Sequence, residues 1–316
     1  MASRTMLAAS FDDEDLLDLK AALTRYVTFP VLASPKIDGI RFTGVECQAQ
    51  SRSGKALPNL FFQKQFSEGL LNHFDGEVVV GLDPACTNTT NGTLCNRTQS
   101  AIMTQSGSPE HSLHVFDYIR NPSDPFNYRT ERAHSKIMDL NASGLLPGVK
   151  LNYVKHFLLM NPQEVIAFEE ESLLAGYEGI MLRSPHATYK FGRSTLKQQG
   201  LIKIKRFKDD EATIVGFEAL ERNTNPIVRD SFGLAKRSSH KAGKVPDNLL
   251  GKLKVRHATY GDFAIGSGFD VDTRIEIWFN QTKYLGKLVT YKYQPHGTMD
   301  APRVPIFKGI RHADDT

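Results

Sequence analysis

The chain has 316 residues, of which 40% are hydrophobic and 23% charged, proportions of a globular protein and not of a disordered or fibrous one. No run approaches the ~18 to 20 apolar residues that cross a bilayer, and the opening Met1 to Leu7 lacks the apolar core of a signal peptide. A soluble, intracellular protein with no membrane partner is expected, long enough for two domains with separate cores.

Cys47, Cys86 and Cys95 are odd in number and show no C-x-x-C spacing, so neither a disulfide framework nor a zinc site is implied. Asn88, Asn91, Asn96 and Asn141 open N-x-[ST] sequons, which without a secretion signal read as unmodified loop residues. The net charge is +4. Residues 1 to 205 carry 21 basic and 21 acidic side chains, so the excess lies beyond them. Within Arg222 to Arg256 there are nine basic residues against Asp230 and Asp247, a composition suited to a phosphate backbone or to a solvated charged face.

In chain order, Asp12 to Tyr26 predicts a helix with Leu16, Leu19, Leu23 and Tyr26 on one face. Phe29 to Leu32 leads through Pro35 into Lys36-Ile-Asp-Gly-Ile-Arg-Phe42, read as strand, turn, strand. Further strand-like runs are Glu77 to Val80, Ser112 to Ile119, Gly179 to Arg183 and Leu201 to Phe207. Gly81 to Arg97, polar and rich in Thr and Asn, predicts a loop insertion. Asn161-Pro-Gln-Glu164 signals a helix start, and Gly176 a stop after Ala175.

Strands and helices without a βαβ repeat argue for an α+β domain on antiparallel sheets over residues 1 to 206. From 207 to 316 the pattern turns to short apolar runs: Ala212 to Phe217, Leu249 to Val255, Phe263 to Ile265 and Leu288 to Tyr293. These predict a small β-barrel with one helix near Val271 to Phe279.

Lys36-x-Asp38-Gly39-x-Arg41 is a weak signal alone. Downstream, however, follow Ser51-Arg52-x-Gly54, Asp75-Gly76-Glu77, Phe116-Asp117-Tyr118, Glu178-Gly-Ile-Met-Leu-Arg183 and Lys203-Ile-Lys205. To attack a phosphorus atom a lysine must be neutral, yet at its ordinary pKa of ~10.4 about one amine in a thousand is free at pH 7. Desolvation, the cations Lys203 and Lys205 and a divalent metal are expected to lower it. Charge that spreads over phosphate oxygens is offset by carboxylate-held metal, for which Asp75, Glu77 and Glu178 are candidates. Each of these side chains has a plain alternative as a surface ion or strand-end charge, and Phe116 as a core aromatic.

The order and spacing of these motifs resemble ATP-dependent DNA ligases of the covalent nucleotidyltransferase superfamily. Tyr189-Lys-Phe-Gly-Arg-Ser-Thr-Leu-Lys197, Lys236-Arg-Ser-Ser-His-Lys241 and Gly309-Ile-Arg-His312 are similar to the minimal, virus-type members, and the resemblance covers nearly the whole chain. It implies an adenylation domain followed by an OB-fold domain, with an insertion at about 220 to 244 acting as a latch over DNA. The implied activity is sealing of 3′-hydroxyl/5′-phosphate nicks in duplex DNA by a monomer, using ATP and Mg2+ or Mn2+, with AMP carried on Lys36.

By that resemblance Glu77 and Glu178 place metal and ribose, Asp38 sits by the nick 3′-hydroxyl, and Phe116 stacks on adenine. Ser34 stands where the virus-type relatives have threonine and keeps the hydroxyl for an adenine contact. Arg41, Lys203 and Lys205 belong to the catalytic and nucleotide-binding set. Arg52 and Arg193 hold the 5′-phosphate or the AMP phosphate, and Arg303 and Arg311 orient the pyrophosphate. Arg222, Arg229, Lys236, Arg237, Lys241 and Lys244 form the latch contact with DNA, with Gly233 and Gly243 allowing its turns. An mRNA capping guanylyltransferase, an RNA ligase and a nonenzymatic nick-binding module are the alternatives.

Overall fold

The computed structural model describes residues 5–85, 88–89, 92–229, 235–238, 240–295, 297–298 and 300–311; Cys86, Asn91, Asp230, Gly233 and His312 lie outside them. The chain divides after Lys205 into two compact units. Among the described residues no helix is long and apolar enough to cross a membrane.

The first unit holds two five-stranded sheets. One runs in the order Lys150–Tyr153, His111–Tyr118, Phe74–Val80, Ile40–Val45, Gln48–Gln50. It is antiparallel except for its first pair, and Phe42, Leu113 and Val115 from its strands pack in one core with Phe62 of the helix Leu60–Lys64 and with Phe66. The other runs Phe157–Leu159, Val31–Pro35, Ile180–Arg183, Ile202–Ile204, Ala9–Ser10 over a separate core around Leu23, Val31, Ile180 and Leu182. The chain crosses from the second sheet to the first between Pro35 and Ile40, so residues 36 to 39 form the turn that joins them.

Close backbone approach requires glycine at Gly39 and Gly179, both in motifs. A Cβ on Gly39 would run into the Val78 carbonyl oxygen, and one on Gly179, at φ +149°, into the Ile204 carbonyl oxygen. Both let backbones approach closely under the site.

Local signals explain the helices. Asn161 accepts from the Glu164 amide at 3.0 Å while the Glu164 carboxylate accepts from the Met160 amide at 2.7 Å, and the helix Pro162–Leu174 follows. The Asp12 to Tyr26 helix is two helices, Asp13–Leu17 and Leu19–Tyr26. Asp18 breaks it, because its side chain accepts from the Ala21 amide and caps a new start. The described end of the Gly81 to Arg97 segment is helical where the sequence predicts a loop: Thr93 caps a helix Leu94–Ile102, and the Cys95 thiol donates to the Gly39 carbonyl at 3.7 Å. The helix Phe126–Ser143 lies outside every expectation above.

The second unit is one antiparallel sheet in the order Gly261–Ile265, Lys244–His257, Lys208–Asn223, Leu288–Gln294, Arg303–Ile310, with helices Val271–Phe279 and Gln281–Tyr284. Its core gathers Ile214, Leu253, Val255, Ile277, Val289 and Tyr291. Among the described residues the first and last strands of this sheet meet at an isolated parallel bridge, Ser267 to Ile306, where the Phe307 amide donates to the Ser267 carbonyl at 2.9 Å, without a continuous ladder between them. Beyond the ends of the two longest strands, Ile227–Arg229 pairs antiparallel with Ala235–Arg237, both exposed. The Asn225 amide, bonded to the Ser238 and His240 carbonyls, ties the base of this pair, and it packs so closely on Gly243 that a side chain there would collide with it.

Candidate active site

A cavity of about 350 Å³ opens in the first unit, within the ~300 to 1,000 Å³ usual for small-ligand sites. Ser34, Lys36, Arg41, Arg52, Glu77, Phe116, Arg193, Lys203 and Lys205 all line it, so the structure brings together motif residues up to 171 positions apart. Neighbouring strands set their order: Ser34 lies opposite Met181, Lys203 opposite Met181 on the other side, and Arg41 opposite Glu77.

Phe116 reaches the cavity through a bulge. The ladder pairs Asp75 with Asp117 and Gly76 with Val115, leaving Phe116 unpaired between them. A bulge re-aims the extra side chain, and this ring turns into the cavity wall.

Lys36 and Glu178 are clamped to each other twice. The Lys36 amide donates to the Gly179 carbonyl at 2.8 Å and the Glu178 amide to the Lys36 carbonyl at 3.2 Å. Their side chains form an ion pair, and Lys205 holds the second Glu178 oxygen. Burial raises the Glu178 pKa, but Lys36 and Lys205 outweigh it and bring it down to about 2. Burial likewise favours a neutral Lys36, yet Glu178, with help from Glu77 and Asp38, leaves its pKa above the ordinary lysine value. An anion touching the amine thus outweighs desolvation, opposite in sign to the lowering expected from burial and from Lys203 and Lys205. The depressed lysine is Lys203, lowered by burial and then by the charge of Lys36.

Glu77 is pushed up to about 8, because burial outweighs the pull of Lys36 and Arg41 and the carboxylates Glu178 and Asp38 add to it. Asp38 is 7% exposed. Asp75, expected beside Glu77 and Glu178, faces elsewhere. Its two oxygens accept from Arg41 Nε at 2.8 Å and Nη2 at 2.5 Å, and Tyr189 donates to it at 2.7 Å. Arg41 spends its remaining Nη1 on the Met6 carbonyl at 2.5 Å. Among the described residues no group of three or more His, Cys, Asp or Glu side chains could hold a metal ion.

Arg52 is exposed on the cavity rim and Arg193 donates to the Ala8 carbonyl at 2.8 Å. The remaining expected residues belong to the second unit. Arg303 starts its last strand, and Arg311 donates to Glu211 at 2.5 Å. Arg222, Arg229, Lys236, Arg237 and Lys241 are exposed, while Lys244 pairs with Glu221 at 3.5 Å. Sequence reading assigned no role to Asp117, Arg129 and Arg183, which form a buried ion network beside the cavity. Asp117 and Arg183 stand inside quoted motifs; Arg129 lies in a helix whose start has no side-chain cap and whose one local signal is the left-handed Gly144 at its end.

Residues 5–205 match the family model for the ATP-dependent DNA ligase domain, and residues 243–311 that for the DNA ligase OB-like domain. Among curated proteins no relative matches. Two crystal structures of Chlorella virus DNA ligase-adenylate are similar. One is 32% identical, covering 98% of this chain and 100% of that one with a TM-score of 0.53. The other is 33% identical over all of both chains, also at 0.53. A structure from a study of Lig E DNA ligases, 21% identical over 98% of this chain and 100% of that one at a TM-score of 0.66, shares the fold. With its motif residues gathered in one cavity and both of its units matched, this chain belongs to the ATP-dependent DNA ligase family and is a DNA ligase.

Proposed function

We propose that the enzyme seals 3′-hydroxyl/5′-phosphate nicks in duplex DNA through AMP carried on Lys36, acting as a monomer in an intracellular compartment where Cys47 and Cys95, which form no disulfide, stay reduced. The observation that carries this reading is the double clamp of Lys36 to the Glu178–Gly179 segment on the wall of the cavity.

In the first step Lys36 Nζ gives up its proton, bonds to the α-phosphorus of ATP and breaks the bond to the pyrophosphate oxygen. Lys36 must first leave its ion pair with Glu178, which keeps the Lys205 cation as it does so. In the second step Lys36 yields the adenylyl group to an oxygen of the nick 5′-phosphate. In the third, Asp38 orients the 3′-hydroxyl as it attacks the 5′-phosphorus and AMP leaves. Lys203, Arg52 and Arg193 supply fixed positive charge to the phosphates.

Glu77, together with the Glu178 oxygen that Lys36 releases, would hold a divalent cation, Mg2+ or Mn2+. Mg2+ commonly takes one or two carboxylates plus substrate phosphate oxygens instead of an all-protein cage, and Glu77 is a desolvated carboxylate that a cation would return to its charged form. When bound there, a metal would supply positive charge against the α-phosphate. Asp75 is left out of this set, since Arg41 and Tyr189 occupy its oxygens. Arg303 and Arg311 orient the pyrophosphate, Arg311 after releasing Glu211. The segment at about 220 to 244 acts as the latch, through Arg222, Arg229, Lys236, Arg237, Lys241 and Lys244.

Sealing of a singly nicked, 5′-labelled duplex tests this. Joining is expected with ATP and DNA. Preferential use of GTP would mean a guanylyltransferase, preference for nicked RNA an RNA ligase, and binding without joining a nick-binding module.

A further inference from the structure

Asp117 is fully buried and accepts three hydrogen bonds: from Arg129 Nε at 2.8 Å and Nη2 at 3.0 Å, and from Arg183 Nη1 at 2.6 Å. Arg129 spends its remaining Nη1 on the carbonyls of Asp124 at 2.6 Å and Ala187 at 3.0 Å, so its donors are consumed by structure. Arg183 is different. It stands on the wall of the nucleotide cavity, with its guanidinium carbon 5.2 Å from the centre of the Phe116 ring and 4.4 Å from that of Phe126. Arg41, fixed by Asp75, lies 5.3 Å from the same Phe116 ring.

Three guanidiniums, Arg41, Arg129 and Arg183, thus face two carboxylates, Asp75 and Asp117. Arg129 and Arg41 each engage a carboxylate through two nitrogens, so the surplus cation is Arg183, which shares Asp117 through one. Burial, together with the charges of Arg129 and Arg41, holds its pKa below the ordinary arginine value. Phe116 has no ladder partner of its own, because the bulge leaves it out of the strand register. Its ring orientation must come from what touches it, and a cation against an aromatic ring is a directional contact strengthened by desolvation.

We propose that Arg183, anchored by Asp117, is a positioning residue that fixes the Phe116 ring against which adenine stacks, and thereby sets the enzyme's selection of ATP over nucleoside triphosphates with other bases. This rests on the reading of Phe116 as the adenine platform.

Removing the Arg183 charge leaves Asp117 balanced one to one by Arg129, so Arg183→Met is the variant suited to a folded test. Lys36 labelling would be measured against ATP and GTP concentration in wild type, Arg183→Met, Arg183→Lys and Phe116→Ala. In Arg183→Met the KM for ATP should rise about tenfold and the preference for ATP over GTP narrow, with the maximal rate within about threefold of wild type. Arg183→Lys, which keeps the charge without the planar fork, should fall between. A purely structural role would lower melting temperature without moving the ATP to GTP ratio. If Phe116→Ala raises KM while neither folded Arg183 variant changes KM or base preference, the inference is overturned and the Phe116 reading stands. If Phe116→Ala leaves KM unchanged, the Phe116 reading itself fails.

Discussion

Replacing Asp117 by Asn removes the one carboxylate that two buried guanidiniums share. Asp117 has no exposed surface, and Arg129 and Arg183 are 1% and 4% exposed. Breaking a buried pair by deleting one partner costs ~3 to 5 kcal/mol, since the other charge stays desolvated and unpaired. For a unit of this size each kcal/mol moves the melting temperature by roughly 2 to 4 °C, so a fall of about 6 to 20 °C is expected. The pH dependence has a definite sign. Burial would raise the Asp117 pKa, but Arg183 and Arg129 outweigh it and hold it below the ordinary carboxylate value. Its contribution is therefore fully present above the unfolded pKa of ~3.9 and is lost as pH falls through the lower folded value. Melting followed by near-ultraviolet circular dichroism between pH 7 and acid conditions measures both. A drop of under about 2 °C for Asp117→Asn, against the span just derived, would refute the claim that this network holds the first unit together.

Other consequences can be checked separately. An NMR titration of isotopically dimethylated Lys36 in the nucleotide-free protein should give a value above that of a similarly modified exposed lysine, and Glu178→Gln should lower it. A depressed wild-type value would contradict the ion-pair geometry. Gly39→Ala should lose ATP-dependent labelling and melt lower, because the new Cβ meets the Val78 carbonyl; unchanged labelling would show that the turn can shift at no cost. Neutralising Arg222 and Lys241 together should weaken binding to nicked DNA and reduce the slope of log affinity against log salt by about 0.9 per lost phosphate contact; an unchanged slope would remove these residues from the DNA surface.

What could be read from the sequence was local or was carried by motifs. The Asn161 cap and the helix Val271–Phe279 follow from chemistry within a few residues. Ser34, Lys36, Glu77, Phe116, Lys203 and Lys205 converge because each sits at a fixed place in a strand or turn. What escaped depended on distant partners. The ion-pair partner of Lys36 is Glu178, 142 positions away. Asp75 answers to Tyr189, 114 positions away, and so leaves the expected metal set. The helix Phe126–Ser143 buries an arginine, Arg129, that any hydrophobic pattern counts as exposed. Asp18 broke an evenly spaced helix through its side chain, and the order of the strands in the second sheet depends on pairings that apolar runs do not encode.

The central claim is that the amine of Lys36 is the atom that accepts AMP. Incubation with ATP labelled at the α-phosphate and with Mg2+, followed by proteolysis and peptide sequencing by mass spectrometry, should find the adenylyl group on the peptide bearing Lys36. Labelling should vanish in Lys36→Ala. Label on Lys203 or Lys205, or full labelling in the Lys36→Ala protein, would contradict the account.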